Sequence, residues 1–136
     1  MEIRLKDYIK NEIEGCKSIM EKMLNNQNLL KSIEEASQAC TYALQNGNKI
    51  LLAGNGGSAA DAQHIAGELV SRFMFDRPGL PAIALTTDTS ILTAIGNDYG
   101  YENWVSKALE YFVKPCDRII FISVSGNSPS LINGLN

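Results

Sequence analysis

A glycine-rich segment after a short apolar run constrains the fold more than any other part of the chain. Residues 49–53 read KILLA and are followed by the loop GNGGS at 54–58, after which a helical pattern opens at Ala59. The order strand, glycine-rich turn and helix start is typical of phosphate binding, because glycines let the backbone approach an anion and the free N–H groups of the helix start attract it. We therefore predict an α/β unit with an anion site at the end of its first strand.

A second loop of this kind lies further along the chain, where the apolar run 119–122 is followed by SVSGNS at 123–128. Ser123, Ser125 and Ser128 can donate to phosphate oxygens without carrying a charge. The carboxyl ends of parallel strands meet at one edge of a sheet, where ligands of open α/β folds bind. We therefore expect the two loops to face one phosphorylated small molecule. A serine-rich turn that only starts a helix is the structural alternative.

The helix predicted after the first loop carries three titratable residues on one face. Asp61, His64 and Glu68 are spaced at i, i+3 and i+7, and this face begins at the loop. Glu68 is a candidate base for removing a proton from a carbon next to a carbonyl. His64 and Glu68 are alternatively two ligands of a divalent metal, which is too few for a structural zinc site. A hydrogen-bonded helical histidine and a solvated carboxylate stay open as structural alternatives.

Composition and charge restrict the class of partner. The chain has 136 residues and a formal net charge of −3, which fits one globular domain and argues against a nucleic-acid partner, since such partners require a clustered basic face. The cysteines at 16, 40 and 116 form no CxxC pair, so neither a disulfide framework nor a zinc knuckle is indicated. The N-terminus has no apolar signal region and no run is long enough to cross a membrane, so we expect a cytoplasmic protein.

Helical and strand patterns alternate along the chain. Two amphipathic helices, separated by a break at 25–28, predict an N-terminal helical hairpin over 1–47 that packs on the sheet or, as we expect, on another subunit. The remaining core, 48–136, completes a single domain. The predicted helices are 3–24, 29–45, 58–73, 90–95, 103–112 and one from Pro129 with Ser128 as its N-cap, and the predicted strands are 49–53, 81–85 and 119–122.

This order predicts a three-layer α/β sandwich with a parallel sheet covered on both faces. The loop 96–100 after the second strand contains Asn97 and Asp98, which are candidates for binding sugar hydroxyls, although both residues also favour turns. Only three strands are predicted, and the last crossover is unfinished. We therefore expect the front part of a longer domain, or a chain that depends on association.

The first loop also satisfies the dinucleotide-binding pattern GxGxxA at 54–59. That fingerprint calls for an acidic residue about twenty positions further on, at the end of the next strand, and the nearest fit, Asp88, lies thirty-four residues past Gly54. A Walker A loop is excluded because no Gly-Lys-Ser/Thr sequence follows. A nucleotide-binding dehydrogenase and a plain connecting turn stay as alternatives to a phosphosugar site.

Separated blocks of the chain resemble one family in the same order: GNGGSAADAQH, GEL, LPAIALTTDTS, AIGNDYG and SxSGNS. These blocks are similar to the SIS (sugar isomerase) domain and, within that group, to the phosphoheptose isomerase family over nearly the whole chain. The resemblance implies a flavodoxin-like, doubly wound fold. It also implies conversion of sedoheptulose 7-phosphate to D-glycero-D-manno-heptose 7-phosphate through an enediolate, for lipopolysaccharide or capsule synthesis. Members are cytoplasmic homotetramers with active sites between subunits, and many bind zinc.

The resemblance also implies roles for individual residues. Glu68 corresponds to the catalytic base, and His64 with Glu68 to metal ligands. The positions expected at the substrate and its phosphate are Asn55, Gly56, Gly57, Ser58, Asn97, Asp98, Ser123, Val124, Ser125 and Ser128.

The chain departs from the family pattern at two points. Val124 stands where the family usually has threonine, which removes a hydroxyl but leaves the backbone amide. In the family, later strands carry a glutamine and a histidine that complete the metal site and act as the acid in catalysis. The sequence stops before these strands. We therefore expect this chain alone to turn over poorly or not at all. A non-catalytic SIS relative that binds a partner protein, such as the replication-initiator-associating proteins, is the alternative, although those relatives generally lack an acidic residue at the position of Glu68.

Overall fold

The computed structural model describes residues 4–135, and the elements follow the predicted order within that range. The elements are α1 (Leu5–Leu24), α2 (Gln27–Gln45), β1 (Ile50–Gly54), α3 (Gly57–Val70), β2 (Ala82–Ala84), α4 (Thr89–Tyr99), a 3₁₀ turn (Tyr101–Asn103), α5 (Trp104–Phe112), β3 (Arg118–Ile122) and α6 (Pro129–Asn133). No helix within residues 4–135 is both long enough and apolar enough to span a membrane.

The strand β1 lies at the centre of the sheet formed by the described residues. The strand order is β2-β1-β3, and β1 pairs in parallel with both neighbours. Ile50 is opposite Ala82 on one side and Arg118 on the other. The chain therefore moves from β1 to β2 and then crosses to the opposite side for β3, which is the doubly wound arrangement. Its topological switch point lies between β1 and β3.

Successive side chains of β1 enter different layers of the core, because strand side chains alternate between the two faces of a sheet. Every residue of β1 is buried. Leu51 and Ala53 belong to one apolar cluster, which also contains Leu85, Trp104, Val105, Ala108, Leu109 and Leu131. Ile50 and Leu52 belong to the other cluster, which also contains Ala62, Ala66, Ala82 and Ala84. The predicted coverage of both faces, and with it the three-layer α/β architecture, is confirmed.

Contacts divide the chain into two units, one ending at Ala39 and the other starting at Cys40 within α2. In the first unit, the side-chain oxygen of Asn26 accepts the backbone N–H of Leu29 at 3.1 Å. This bond starts α2 at Gln27, so the break between α1 and α2 is shorter than the four residues predicted. No residue of 4–39 is buried. In the second unit, Cys40 and Leu44 pack against the cluster that contains Ile50.

The prediction of a loop at 96–100 is wrong, because α4 continues to Tyr99. The side chain of Asp88 caps the start of α4 by accepting the N–H of Ile91 at 2.9 Å. The helix ends where Gly100 adopts a φ of 87°. Asn97 and Asp98 therefore lie on the last turn of a helix. Gly96 does not interrupt α4, because a glycine inside a helix costs only about 1 kcal/mol relative to alanine.

Candidate functional site

The loops after β1 and β3 line one cleft of about 450 Å³. The residues that line it are Asn55, Gly57, Ser58, Asp61, Ile122, Ser123, Val124, Ser125 and Ser128. The cleft lies at the carboxyl ends of β1 and β3, at the topological switch point where the strand order of the sheet reverses. The structure therefore brings together the two loops that the sequence singled out, and adds Asp61 and Ile122 to them. Gly56 belongs to the first loop but is not among the lining residues.

The first loop turns tightly because two of its glycines occupy positions that exclude a side chain. A Cβ on Gly54 would lie 2.5 Å from the backbone oxygen of Ser58, so the end of β1 can approach the start of α3 only without one. Gly56 has a φ of 57° and a ψ of −121°, a backbone conformation that residues other than glycine rarely adopt. The N–H groups of Ser58 and Ala59 bond back to the loop carbonyls. The positive end of the α3 dipole consequently borders the cleft.

Asn55, the residue after β1, has its side-chain amide fixed by hydrogen bonds. The hydroxyl of Tyr101 donates to its Oδ1 at 2.8 Å, and the indole N–H of Trp104 donates to the same oxygen at 3.3 Å. Its Nδ2 donates to the hydroxyl of Ser130 at 3.0 Å. These three partners were not identified from the sequence. They are 46, 49 and 75 residues away along the chain, so no local pattern signals them.

The second loop is organised by its own serine hydroxyls. The hydroxyl oxygen of Ser123 accepts the N–H of Gly126 at 3.1 Å and lies 3.3 Å from the hydroxyl of Ser128. The hydroxyl oxygen of Ser125 accepts the N–H of Asn127 at 3.2 Å. A hydroxyl that accepts a bond can still donate its own proton, so these serines remain competent to bind an anion. Val124 is fully exposed at 100%.

Ser128 occupies the N-cap position of α6, as predicted, but its side chain makes no capping hydrogen bond. Its hydroxyl is close to that of Ser123 instead. The short helix α6 starts with Pro129, which needs no N–H partner at this position. The hydroxyl of Ser128 is therefore part of the cleft and not of the helix start.

Asp61 is the one charged side chain among the residues that line the cleft. The lining contains neither lysine nor arginine, so an anion bound there is held by neutral hydroxyls, backbone amides and the helix dipole. The carboxylate of Asp61 repels a phosphate but is a good acceptor for the hydroxyl groups of a sugar. A ligand that combines phosphate and hydroxyls, with the phosphate at the serine loop, satisfies both kinds of group.

His64 and Glu68 line a second cleft of about 430 Å³, next along the helix. Its other lining residues are Ile65, Leu69, Phe73, Met74, Phe75 and Arg77. The side chain of His64 is 75% exposed and that of Glu68 is 35% exposed. At the α-helical rise, Asp61 and Glu68 are about 10 Å apart along the axis. Glu68 therefore lies on the same helix face as Asp61, which lines the first cleft, but Glu68 itself does not line that cleft.

Arg77 is a residue of this region that sequence reasoning missed. Its guanidinium donates to the backbone oxygens of Glu68 and Leu69, at 2.8 Å in each case. These bonds satisfy carbonyls at the end of α3, which explains why the helix ends at Val70 and not at the predicted residue 73. A basic residue shortly after a helix is the signal that could have located it. The guanidinium also holds one side of the second cleft next to Glu68.

His64 and Glu68 are of the right chemistry for zinc, but the described residues do not complete a site. The Nε2 of His64 lies 4.0 Å from the Oε1 of Glu68. Tetrahedral ligands about 2.0 Å from zinc would be about 3.3 Å apart, so a shared ion requires a rotamer adjustment. No group of three or more metal-binding side chains occurs within residues 4–135. These two donors alone fit only part of a zinc site.

Asn97 and Asp98 line neither cleft. Both are exposed, and the amide of Asn97 donates to the carboxylate of Asp98 at 2.8 Å. The structure does not bring them together with the two loops, and their role in binding sugar hydroxyls stays a prediction.

The chain is similar to known proteins in sequence and in structure. The family model described as SIS domain matches residues 13–136. A phosphoheptose isomerase of Aneurinibacillus thermoaerophilus is 59% identical over 96% of this chain and 66% of its own length. One of Burkholderia pseudomallei (strain 1710b) is 55% identical over 97% of this chain and 67% of its own length.

Solved structures give the same assignment. Phosphoheptose isomerase GmhA from Neisseria gonorrhoeae aligns with a TM-score of 0.83 and 39% identity, over 97% of this chain and 67% of the other. A phosphoheptose isomerase from Francisella tularensis aligns with a TM-score of 0.86 and 34% identity, over 98% and 69%. The chain thus spans about two thirds of the length of these relatives. It belongs to the SIS domain family and, within that family, groups with the phosphoheptose isomerases.

Proposed function

We propose that this chain binds a phosphorylated sugar and is part of an isomerase that converts sedoheptulose 7-phosphate to D-glycero-D-manno-heptose 7-phosphate. The observation that carries the proposal is the cleft in which two loops of neutral donors face each other at the switch point of the sheet. Family membership supports the choice of substrate, because the aligned relatives are named phosphoheptose isomerases. In this proposal the product enters heptose synthesis for lipopolysaccharide or capsule.

The proposed chemistry needs one proton to move between neighbouring carbons. The phosphate binds at the serine loop, and the sugar extends along the face of α3 that carries Asp61 and Glu68. The carboxylate of Glu68 takes the proton from the carbon next to the carbonyl, which leaves an enediolate. Return of a proton to the adjacent carbon, together with transfer of the hydroxyl proton between the two neighbouring oxygens, completes the exchange of ketose and aldose. An aldose–ketose isomerisation requires no external oxidant.

Ligand-dependent thermal unfolding tests the binding half of the proposal. A ligand that binds only the folded state raises the melting temperature with its concentration. We expect sedoheptulose 7-phosphate to stabilise the chain at concentrations where inorganic phosphate has a smaller effect and unphosphorylated sedoheptulose has none. A shift with inorganic phosphate equal to that with the phosphosugar would reduce the site to a simple anion site. The absence of any shift would contradict the proposal.

Hydrogen exchange at carbon tests the base directly, even where net turnover is low. In D₂O, a base that takes the proton next to the carbonyl lets deuterium enter the substrate, and NMR of the sugar detects the loss of the C–H signal. We expect the Glu68→Gln variant to bind the phosphosugar but to lose this exchange. Glu110→Gln, an exposed carboxylate on α5, is the matched control. Exchange at the wild-type rate in Glu68→Gln would remove Glu68 from the mechanism.

We also propose that His64 and Glu68 are two of the ligands of a zinc ion whose remaining donors lie outside the described residues. A bound zinc ion would supply Lewis-acid polarisation of the substrate oxygens. Support comes from the donor chemistry and from the i, i+4 spacing, which places both groups on one helix face. Equilibrium dialysis at graded zinc concentrations should find weaker zinc binding by a His64→Ala variant than by the wild type. Equal binding by both proteins would contradict this ligand assignment.

A homo-oligomer, specifically a tetramer, is part of the same proposal. The amphipathic helix α1 has no buried residue, although it carries Leu5, Tyr8, Ile9, Ile13, Met20 and Met23. Such an apolar stripe is typical of a helix that packs on another subunit. Sedimentation of the wild type against Ile9→Glu tests this, and a wild-type monomer would contradict it. The expected cytoplasmic location stays part of the proposal.

A further inference from the structure

Asn55 separates the proposed phosphosugar cleft from a smaller cavity of about 370 Å³. Asn55 and Ser128 line both spaces. The smaller cavity is also lined by Tyr101 and Ser130, the two residues whose hydroxyls bond to the Asn55 amide. The orientation of a cleft-lining side chain is therefore set from outside the cleft. This arrangement is the basis for assigning a role to Tyr101.

The identity of the atoms of the Asn55 amide follows from its partners. The indole of Trp104 can only donate, so the amide atom that faces it is the oxygen. The hydroxyl of Tyr101 donates to that same oxygen at the shorter distance, 2.8 Å against 3.3 Å for Trp104. The nitrogen then faces Ser130, to which it gives one of its two N–H groups. Within residues 4–135 the second N–H has no partner, which leaves it for a ligand in the cleft.

Trp104 and Tyr101 both bond to Asn55, but only Trp104 also contributes to the packing of the apolar core. Trp104 is only 1% exposed and belongs to the apolar core, so its removal would disturb packing. Tyr101 is 53% exposed and lies in the 3₁₀ turn. The turn is tied to α6 independently, because Asn133 donates to the backbone oxygen of Glu102 at 3.0 Å. Loss of the Tyr101 hydroxyl should therefore free the amide without unfolding the turn.

We propose that Tyr101 is a positioning residue for the phosphosugar site, because its hydroxyl holds the Asn55 amide with the nitrogen available to the ligand. Tyr101 lies outside the lining of the cleft and acts through Asn55. The inference rests on the proposed function, and it adds a residue to that function which neither loop motif contains. Without the hydroxyl, Oδ1 keeps only the longer bond from Trp104, and the amide can rotate away from the orientation that binds.

Calorimetric titration with sedoheptulose 7-phosphate tests the role in the Tyr101→Phe variant of the full chain. We expect the Kd to rise about fivefold, which corresponds to the loss of one hydrogen bond's net contribution. The melting temperature without ligand should stay close to that of the wild type. Tyr111→Phe is the matched control, because Tyr111 is 85% exposed and its hydroxyl has no partner among the described residues. Its Kd should equal that of the wild type.

A spectroscopic measurement separates positioning from a merely structural effect. Trp104 is the single tryptophan of the chain, so its indole N–H gives one NMR signal. In Tyr101→Phe the Asn55 amide keeps only the longer bond at Oδ1 and can rotate, so the hydrogen bond of the indole should weaken and its signal should move upfield. An unmoved signal, or a wild-type Kd in the variant, would overturn the positioning role while leaving the proposed function intact. Failure of the wild type to bind the phosphosugar would overturn both.

Discussion

The side-chain amide of Asn55 and the hydroxyl of Ser130 are joined by a hydrogen bond of 3.0 Å across 75 residues of sequence. Asn55 lies in the loop after β1, and Ser130 lies in α6 directly after the serine loop. The bond therefore links the two loops that form the cleft, in addition to the pairing of β1 with β3. The shape of the cleft depends on a side-chain contact as well as on the sheet.

Replacement of Ser130 by alanine should destabilise the protein, because it removes a buried hydroxyl that accepts an N–H of the half-buried Asn55 amide. Ser130 is 3% exposed, and the net contribution of such a hydrogen bond is about 1 kcal/mol in the free energy of unfolding. Urea unfolding at fixed protein concentration measures it. Ser90→Ala is the matched control, since Ser90 is the second residue of α4 as Ser130 is of α6, but is exposed. Equal stability of the two variants would contradict the argument.

Replacement of Val124 by threonine should strengthen anion binding. Val124 is fully exposed and lines the cleft, so the added hydroxyl replaces a methyl group without steric cost and contributes a donor. One further exposed hydrogen bond of about 1 kcal/mol should lower the Kd for inorganic phosphate about fivefold, as measured by calorimetric titration. Val113→Thr, at the end of α5, should leave the Kd unchanged. Weaker binding in Val124→Thr would show that the hydroxyl does not face the anion.

Replacement of Asp61 by asparagine should shift the preference of the cleft from the phosphosugar towards inorganic phosphate. The substitution removes a repulsion of about 1 kcal/mol between exposed like charges, so inorganic phosphate should bind more tightly. The phosphosugar should gain less, because the carboxylate that accepts its hydroxyls is lost. The measured quantity is the ratio of the two Kd values, with Asp7→Asn on α1 as a control for net charge. An unchanged ratio would remove Asp61 from sugar recognition.

Acid should destabilise the fold through Asp117, whose carboxylate is 2% exposed and joins the starts of β1 and β3. Burial, the largest influence, acts to raise the pKa of Asp117, but the hydrogen bonds from the side chain and backbone of Lys49 and from the backbone of Lys114, together with the charge of Lys49, lower it below its ordinary value of 3.8. A lowered pKa in the folded state means that the stabilisation is present above pH 3.8 and is lost as the pH falls through the folded value.

The Asp117→Asn variant tests this dependence. We expect a loss of about 3 kcal/mol in the free energy of unfolding at pH 7, because the ammonium of Lys49 is left without its partner. Below pH 3.8 the difference from the wild type should shrink, since the wild-type carboxylate becomes protonated as the pH falls through its lowered folded-state pKa. Asp76→Asn, an exposed position, is the control. A difference that is constant from pH 7 to pH 2, within the range accessible to urea unfolding, would contradict the assignment.

Replacement of Cys116 by glycine should stabilise the turn before β3. Cys116 has a φ of 73°, and the N–H of Asp117 bonds to the oxygen of Lys114 at 3.1 Å across Pro115. This is the pattern of a type II turn, which favours glycine at the position of Cys116. Relief of about 1–2 kcal/mol of strain exceeds the entropic cost of glycine, so we expect a gain of about 0.5–1 kcal/mol in urea unfolding. Cys116→Ala keeps the strain and should change little, and a loss in Cys116→Gly would contradict this account.

The layers and strands of the fold could be predicted because their signals are local. Each strand is a short apolar run next to turn residues, and the predicted 49–53 differs from the observed Ile50–Gly54 by one position. The end of α4 was placed too early because Gly96 was interpreted as a stop, whereas the local signals that decide the helix are the cap at Asp88 and the turn at Gly100. Glycine alone is a weak stop signal within a helix.

The loops of the site could be predicted and the contacts that hold them could not. The two loops are recognisable because glycine and serine follow a strand, and parallel strands bring such loops to one edge. The bonds of Tyr101 and Trp104 to Asn55 depend on which side chains the finished fold places together. Glu68 lies beyond the first cleft because it is about two turns further along the axis of α3 than Asp61. The spacing i, i+7 shows that two residues share a helix face, but it does not show how far apart they are along the axis.

The central position of β1 has a consequence for synthesis on the ribosome. The partner β2 of β1 ends at Ala84, but the second partner of β1 begins only at Arg118. Arg118 follows Asp117, whose carboxylate accepts the N–H of Lys49 from 68 residues earlier. At about 5–20 residues per second, translation of that interval takes about 3–14 s. During this time one edge of an apolar strand stays open in the nascent chain. A chaperone that binds extended apolar segments should therefore associate with ribosomes before residue 118 is made and leave them afterwards.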